Sequence, residues 1–348
     1  VPAVRHDADG ARRAVETLAK QHGVDWTLRR QTWNVVATDG GVIAGREGAI
    51  ERWSAADGDQ PVWLFELDGI CTQLAVAEDG VATVGVWDVG PGDYFDRRTS
   101  LVLVDADSGA EIIRSDPGFP AVLCRRQDRS LLVRDTRHSA KAAGPARILS
   151  PAGALLGEVR LGGYDLFNHF FDIQRSAEFL VLVGDGPRPH QNKQVAEVRQ
   201  SPSGWNVERL FPLAWDEGAH VFGGPGVSLS DPRGNGIIHA GAIHDGAGLL
   251  PGNAFVARRR YPDGRLDWTV PLDNQITALD EADGLIVALT TVGEAVGIDA
   301  VTGNVVWRQD RLLVNGGTVI PLSMSLASRT RAWIGTLDGR TIQISLEA

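Results

Sequence analysis

A chain of 348 residues, 43% apolar and 22% charged, is long enough to bury a large core and is not composed like a disordered segment. Its net charge of −10 disfavours non-specific attraction to nucleic acid or to an anionic membrane surface. No apolar run reaches the roughly 20 residues that would insert across a bilayer. Cys71 and Cys124 stand far apart, outside any CxxC or Cys/His pattern, so they are expected to be small buried residues and not a disulfide framework or metal ligands.

In chain order, "DADGARRAVETLAKQH" (7–22) has Ala14 and Leu18 at helical spacing and Gly23 as a stop, which predicts a helix. "GVDWTLRR" (23–30) reads as a strand. Thereafter the chain alternates short apolar strands with small polar turns that contain glycine. "NVVATDGGVIAG" (34–45), "AIERWSAADGDQPVWLFEL" (49–67) and "QLAVAEDGVATVGVW" (73–87) are followed by "LVLVDADSGAEIIRSD" (101–116) and "RILSPAGALLGEVRL" (147–161). Then come "VAEVRQSPSGWNVERL" (195–210), "FVARRRYPDGRLDWTVPL" (255–272), "ITALDEADGLIVAL" (276–289) and "AVGIDAVTGNVVWRQD" (295–310). Pairs such as Asp39–Gly40, Asp79–Gly80 and Asp283–Gly284 are the turn chemistry of antiparallel hairpins.

Four strands joined by three hairpin connections, recurring at roughly 40 to 55 residues, are the signature of a β-propeller blade. The predicted fold is therefore all-β, a seven-bladed propeller over 23–348 preceded by a helical segment at 1–22. The units run 31–67, 68–118, 119–163, 164–213, 214–272, 273–313 and 314–348. Eight blades are the alternative, because the fourth and fifth units are the least regular. The last unit is one strand short, and 23–30 is expected to complete it and so remove an exposed edge.

Trp268 and Trp307 each follow a turn glycine by four residues, and Trp63 lies near another. An indole on an outer strand can lie across the hairpin of the next blade and give its N–H to a backbone oxygen, so these tryptophans are expected to hold blades together. "AVGIDAVTGNVVW" resembles the repeat of the PQQ-like β-propellers through Asp299, Thr302, Gly303 and Trp307, with Gly297 at the position of the motif's alanine. A weaker copy has Asp105, Ser108 and Gly109, with Ile113 in place of the tryptophan. The resemblance implies a family of quinoprotein dehydrogenases, an outer-membrane assembly lipoprotein and other bacterial propellers, and it implies an extracytoplasmic setting. The adjacent cysteine pair that lies beneath the quinone in the dehydrogenases has no counterpart here, so neither PQQ nor another organic cofactor is expected.

A propeller's ligand face carries the connections between the second and third strands of each blade. These are short in the first, sixth and seventh units and long in the second to fifth: "DVGPGDYFDRRT" (88–99), "DTRHSAKAAGP" (135–145), "DGPRPHQNKQ" (185–194) and "HDGAGLLPGN" (244–253). Loops on a rigid scaffold commonly carry binding residues. Tyr94, Phe95, Arg97, Arg98, Arg137, His138, Arg188, His190 and His244 are the candidate contacts for a protein or polymer partner. The alternative is a metal-assisted lyase or hydrolase that holds a divalent ion with His169, Asp216, Glu217 and His220. A third reading is the sensor ectodomain of a membrane-anchored protein, with the helix at 7–22 joining an upstream anchor. "FGGPG" (222–226) is not a phosphate loop, since no Lys-Ser/Thr follows it and no helix opens after it.

Overall fold

A computed structural model describes residues 31–56, 60–76, 81–88, 98–117, 121–128, 130–135, 144–161, 171–184, 192–213, 220–244, 249–314 and 317–346. The helix expected at 7–22 and the strand expected at 23–30 lie outside these residues. All regular structure among the described residues is β, in consecutive antiparallel meanders built like propeller blades. The chain divides into two compact units. One comprises 1–120, 277–299 and 305–348, and the other comprises 121–276 and 300–304.

The alternating apolar segments form the strands that their patterns predict. In the first unit, Ile276–Ala282 and Leu285–Thr290 flank Asp283 and Gly284, both at positive φ (50° and 79°), as a two-residue hairpin turn requires. Ala295–Asp299 and Val305–Gln309 complete that four-stranded sheet. The first two predicted blades are continuous, because Trp63–Val76 pairs with Ala49–Arg52 near its start and with Ala82–Trp87 towards its end. At the other extreme of the chain, Pro321–Ser328, Arg331–Thr336 and Thr341–Ser345 make a sheet that is three-stranded among the described residues. The first strand, Thr32–Thr38, lies against it. Ser323 Oγ donates to Thr32 O (3.2 Å), Ala37 N donates to Ser325 Oγ (3.0 Å), and Trp333 is buried among Val35, Val42 and Ala44.

The second unit contains the four-stranded sheet 121–159, a three-stranded sheet 179–212 and a five-stranded sheet. The uneven division explains why the fourth and fifth sequence units look irregular. Asp172–Gln174 leaves the antiparallel order and pairs in parallel with Pro225–Val227 of the following sheet. The glycines of "FGGPG" make that approach possible. A Cβ at Gly226 would stand 2.5 Å from Ile173 Cδ1 and 2.6 Å from Ile238 O, so only glycine fits beneath the parallel strand.

One irregularity recurs at the same place in four sheets. Each outermost strand carries an extra residue near its start, between Glu111 and Ile113, Leu155 and Gly157, Leu266 and Trp268, and Val305 and Trp307. The turn glycines Gly109, Gly153, Gly264 and Gly303, all at positive φ, precede the residue after the bulge by four positions every time. The spacing is thus a turn glycine, a link, a paired residue, a bulge, and then the side chain that the bulge re-aims.

At Trp268 that side chain locks onto the next hairpin. Trp268 Nε1 donates to Ala300 O (3.2 Å), and the indole covers Gly303, where a Cβ would lie 2.6 Å from Trp268 Cγ. Trp63 repeats the arrangement on Ala106 O (2.9 Å) and Gly109. The residue paired with each of these two tryptophans is an arginine that reaches the same carbonyl: Arg52 to Ala106 O (3.0 Å) and Arg258 to Ala300 O (3.1 Å). Arg258 is fully buried and also binds Asp231 (Nη2 to Oδ1, 2.9 Å) and Asp267 (Nε to Oδ2, 3.2 Å). Ile113, which stands in the tryptophan position of the weaker motif copy, is exposed.

Candidate functional site

The expected ligand face is defined by the strand ends from which the long connections leave. In the first unit, Asp88 and Arg98 are direct cross-strand partners at the base of one insertion. In the second, Gly184 pairs with Lys193 and His244 with Leu249, and Val133 pairs with Arg147 close to the base of a third. Tyr94, Phe95, Arg97, Arg137, His138, Arg188 and His190 lie outside the described residues, as do His169, Asp216 and Glu217. Arg98, His220 and His244 fall on strands. His220 and His244 are direct cross-strand partners, which sets a residue of the proposed metal group opposite one of the proposed contact group. The segment 244–253, expected as a loop, is mostly strand. Leu249–Arg260 continues the ladder, and the register shift between His244 and Ala242 absorbs Pro251 and Gly252. Proline is tolerated within a sheet at such a bulge.

Two buried cations that the sequence pattern did not single out fasten this end of the second unit. Both terminal guanidinium nitrogens of Arg134 donate to Leu182 O at 3.4 Å, across from its own sheet to the next. Lys193, at the base of the 185–192 connection, gives its ammonium to Val221 O (2.8 Å) of the sheet after that. Burying an ammonium is costly unless it is hydrogen-bonded, so these contacts fix the loop bases of successive sheets relative to each other. The visible signal for Lys193 was its rarity, since the sequence has only three lysines.

The other buried ionisable groups of this unit serve packing. His239 lies edge-on to Phe171 and Phe255 (centroids 5.9 and 5.7 Å), with Nδ1 3.2 Å from Ala240 O and Nε2 accepting from Arg259 Nε (3.3 Å). Burial, reinforced by Arg259, pushes its pKa down to about 3, so the ring is neutral. Tyr261 gives its hydroxyl to buried Glu197, and burial followed by that bond raises the phenol well above its ordinary value. Phe211 here covers Gly264, so at this junction the turn supplies the hydrogen-bond donor that tryptophan supplies elsewhere. Tyr261→Phe leaves a buried carboxylate short of a donor and should cost about 1–3 kcal/mol in urea unfolding, with part of the loss recovered in Tyr261→Phe/Glu197→Gln.

Cys71 and Cys124 are buried free thiols in separate units, as expected, with Sγ near Gln73 O (3.6 Å) and Leu180 O (3.4 Å). Burial pushes each pKa up to about 12. Neither should react with a thiol reagent at pH 8 in the native protein, and both should react in denaturant; fast native labelling would contradict the packing. Among the described residues no three His, Cys, Asp or Glu side chains converge in a way that could hold a metal ion.

The fold defines an all-β protein of the β-propeller class. No family model matches the chain, and no curated protein matches it. Among solved structures it is similar to BamB from Moraxella catarrhalis, with 13% sequence identity over 90% of this chain and 96% of that one, at a TM-score of 0.49. A likeness of that size assigns no activity.

Proposed function

We propose that this chain is a non-catalytic binding or scaffolding propeller, and that its long second-to-third-strand connections receive a protein or polymer partner. The observation that carries this reading is the contrast between the two ends of the sheets. The opposite end is closed by tight turns, while the loop end is held at its base by buried Arg134 and Lys193. A fixed base with variable loops is how rigid scaffolds present contacts. An extracytoplasmic setting accords with the family resemblance. Replacing Tyr94, Phe95, Arg97 and Arg98 by alanine, and separately Arg188 and His190, should abolish retention of the partner while leaving the thermal midpoint unchanged. Retention by both variants overturns the choice of face.

One register favours a second reading, a metal-dependent lyase or hydrolase at the same end. The strand register sets His220 directly opposite His244 in an antiparallel pair, and histidine is a common ligand of divalent zinc. Titration with Zn2+ should then give a saturable thermal shift that His220→Ala and His244→Ala each remove. A shift unaffected by either substitution, or no shift, rules this reading out.

A further inference from the structure

The outer strand Glu111–Ser115 is exposed at all five of its positions, whereas Val305–Gln309 keeps Trp307 partly covered and Leu155–Val159 buries Val159. Ile112 and Ile113 are 54% and 43% exposed, and Ile113 stands where other outer strands carry a tryptophan. The strand ends its six-stranded sheet among the described residues, so an apolar pair lies on an edge that can accept another strand. Its sequence is Glu-Ile-Ile-Arg-Ser, with opposite charges on either side of the apolar pair.

The bulge decides how this edge can be extended. Val104 pairs with Glu111, Leu103 with Ile113 and Val102 with Arg114, so Ile112 is the extra residue. In a straight strand, residues three apart point to opposite faces. Here the bulge resets the alternation, and Glu111 and Arg114 share one face, with Arg114 Nη2 2.8 Å from Glu111 Oε2. Asp105 N donates to Ala110 O (2.9 Å), which makes that pair a hydrogen-bonded one. By the alternation of an antiparallel ladder, Glu111 in the next pair turns its peptide groups away from the sheet, and Arg114 does so again beyond the bulge. Both residues thus offer N–H and C=O groups to a strand outside.

We infer that Glu111–Ser115 is a self-pairing edge, occupied by the same strand of a second copy of this chain, antiparallel and related by a twofold axis through the bulge. A twofold perpendicular to a sheet keeps every side chain on its own face, so only residues that share a face can oppose each other. Glu111 and Arg114 meet that condition because of the bulge. Glu111 of each copy then lies opposite Arg114 of the other, while Ile112 and Ile113 meet their own copies at the axis. Each opposed pair exchanges two backbone hydrogen bonds and joins unlike charges. Charge complementarity selects this occupant, since the order of signs along the strand is the one that its own reverse requires. Val305–Gln309 also exposes two apolar residues, but it has Arg308 and no acidic residue to oppose it.

Sedimentation equilibrium of the full chain tests the pairing. Wild type should form a concentration-dependent dimer. Glu111→Arg and Arg114→Glu should each weaken it by about tenfold, because like charges then oppose each other at both pairs. An equimolar mixture of the two variants should regain the wild-type association as a heterodimer, since every arginine again faces a glutamate. That recovery cannot come from the Glu111–Arg114 ion pair within one chain, which neither variant retains. Both variants should keep a Tm near that of wild type, as exposed positions allow. A wild type that stays monomeric at its highest soluble concentration overturns the inference. So does a dimer that the single variants leave unchanged, or a mixture that remains monomeric.

Discussion

Arg258→Ala lowers the free energy of unfolding by about 3–5 kcal/mol in a urea titration, because it leaves two carboxylates at the wall of a core without their cation. Arg258 is fully buried and binds Asp231, Asp267, Ala300 O and Gly234 O at once. The hydrogen bond from Arg258 is the main reason that Asp231 titrates below the ordinary carboxylate range. For Asp267 burial acts upward, and Arg260 and Arg258 more than offset it. A carboxylate whose folded pKa is depressed contributes its stabilisation in full above the unfolded value near 4, and loses it as the pH falls through the folded value. The gap between wild type and Arg258→Ala should therefore be widest at neutral pH and narrow below about pH 4. A pH-independent gap would mean that the arginine acts by packing alone. Asp231→Asn/Asp267→Asn should lessen the cost of Arg258→Ala, since the charges left behind are then gone.

Trp268→Ala should cost a similar amount, about 3–5 kcal/mol, as expected for an aromatic side chain removed from a packed site. The informative comparison is with phenylalanine. Trp268→Phe keeps most of the contact with Gly303 and loses the bond to Ala300 O, worth about 1 kcal/mol. Trp307 is only partly buried, and its Nε1 has no partner among the described residues, so Trp307→Phe should stay within about 0.5 kcal/mol of wild type. Equal losses at the two sites would show that the bond to the turn carbonyl contributes nothing.

The hairpins could be read from the sequence because turn chemistry and period-two alternation are local. Asp283–Gly284 and the paired runs around Gly303 specify their turns without help from the rest of the chain. The tryptophan spacing was also visible, but its cause was not. The bulge that fills the fourth position is a property of pairing between strands, which no single strand encodes. Gly297 looked like a departure from the motif's alanine, and its reason is spatial, because a Cβ there would stand 2.2 Å from Trp307 Nε1. The parallel strand at Asp172–Gln174 was hidden for the same reason, since its partner Pro225–Val227 lies some fifty residues away and only the glycine tract hints at a close neighbour. Pro251 and three glycines gave 244–253 the composition of a loop, whereas the sheet takes up Pro251 and Gly252 in an irregularity of its ladder. For the candidate site, chain position gave the connections, and the anchoring contacts of Arg134 and Lys193 were unreadable because their acceptors are backbone carbonyls in other sheets.

The tryptophan lock divides its two halves between successive hairpins, with the key on one and the keyhole on the next. A segment excised at strand boundaries would carry an unused indole at one side and an uncovered glycine at the other. The smallest transplantable module is therefore offset from the visible sheet. It begins inside one meander, just before the bulge, and ends after the turn of the following one. Grafts, duplications or permutations cut at that offset would retain whole locks, whereas cuts at the strand boundaries beside Trp63 and Trp268 would sever them.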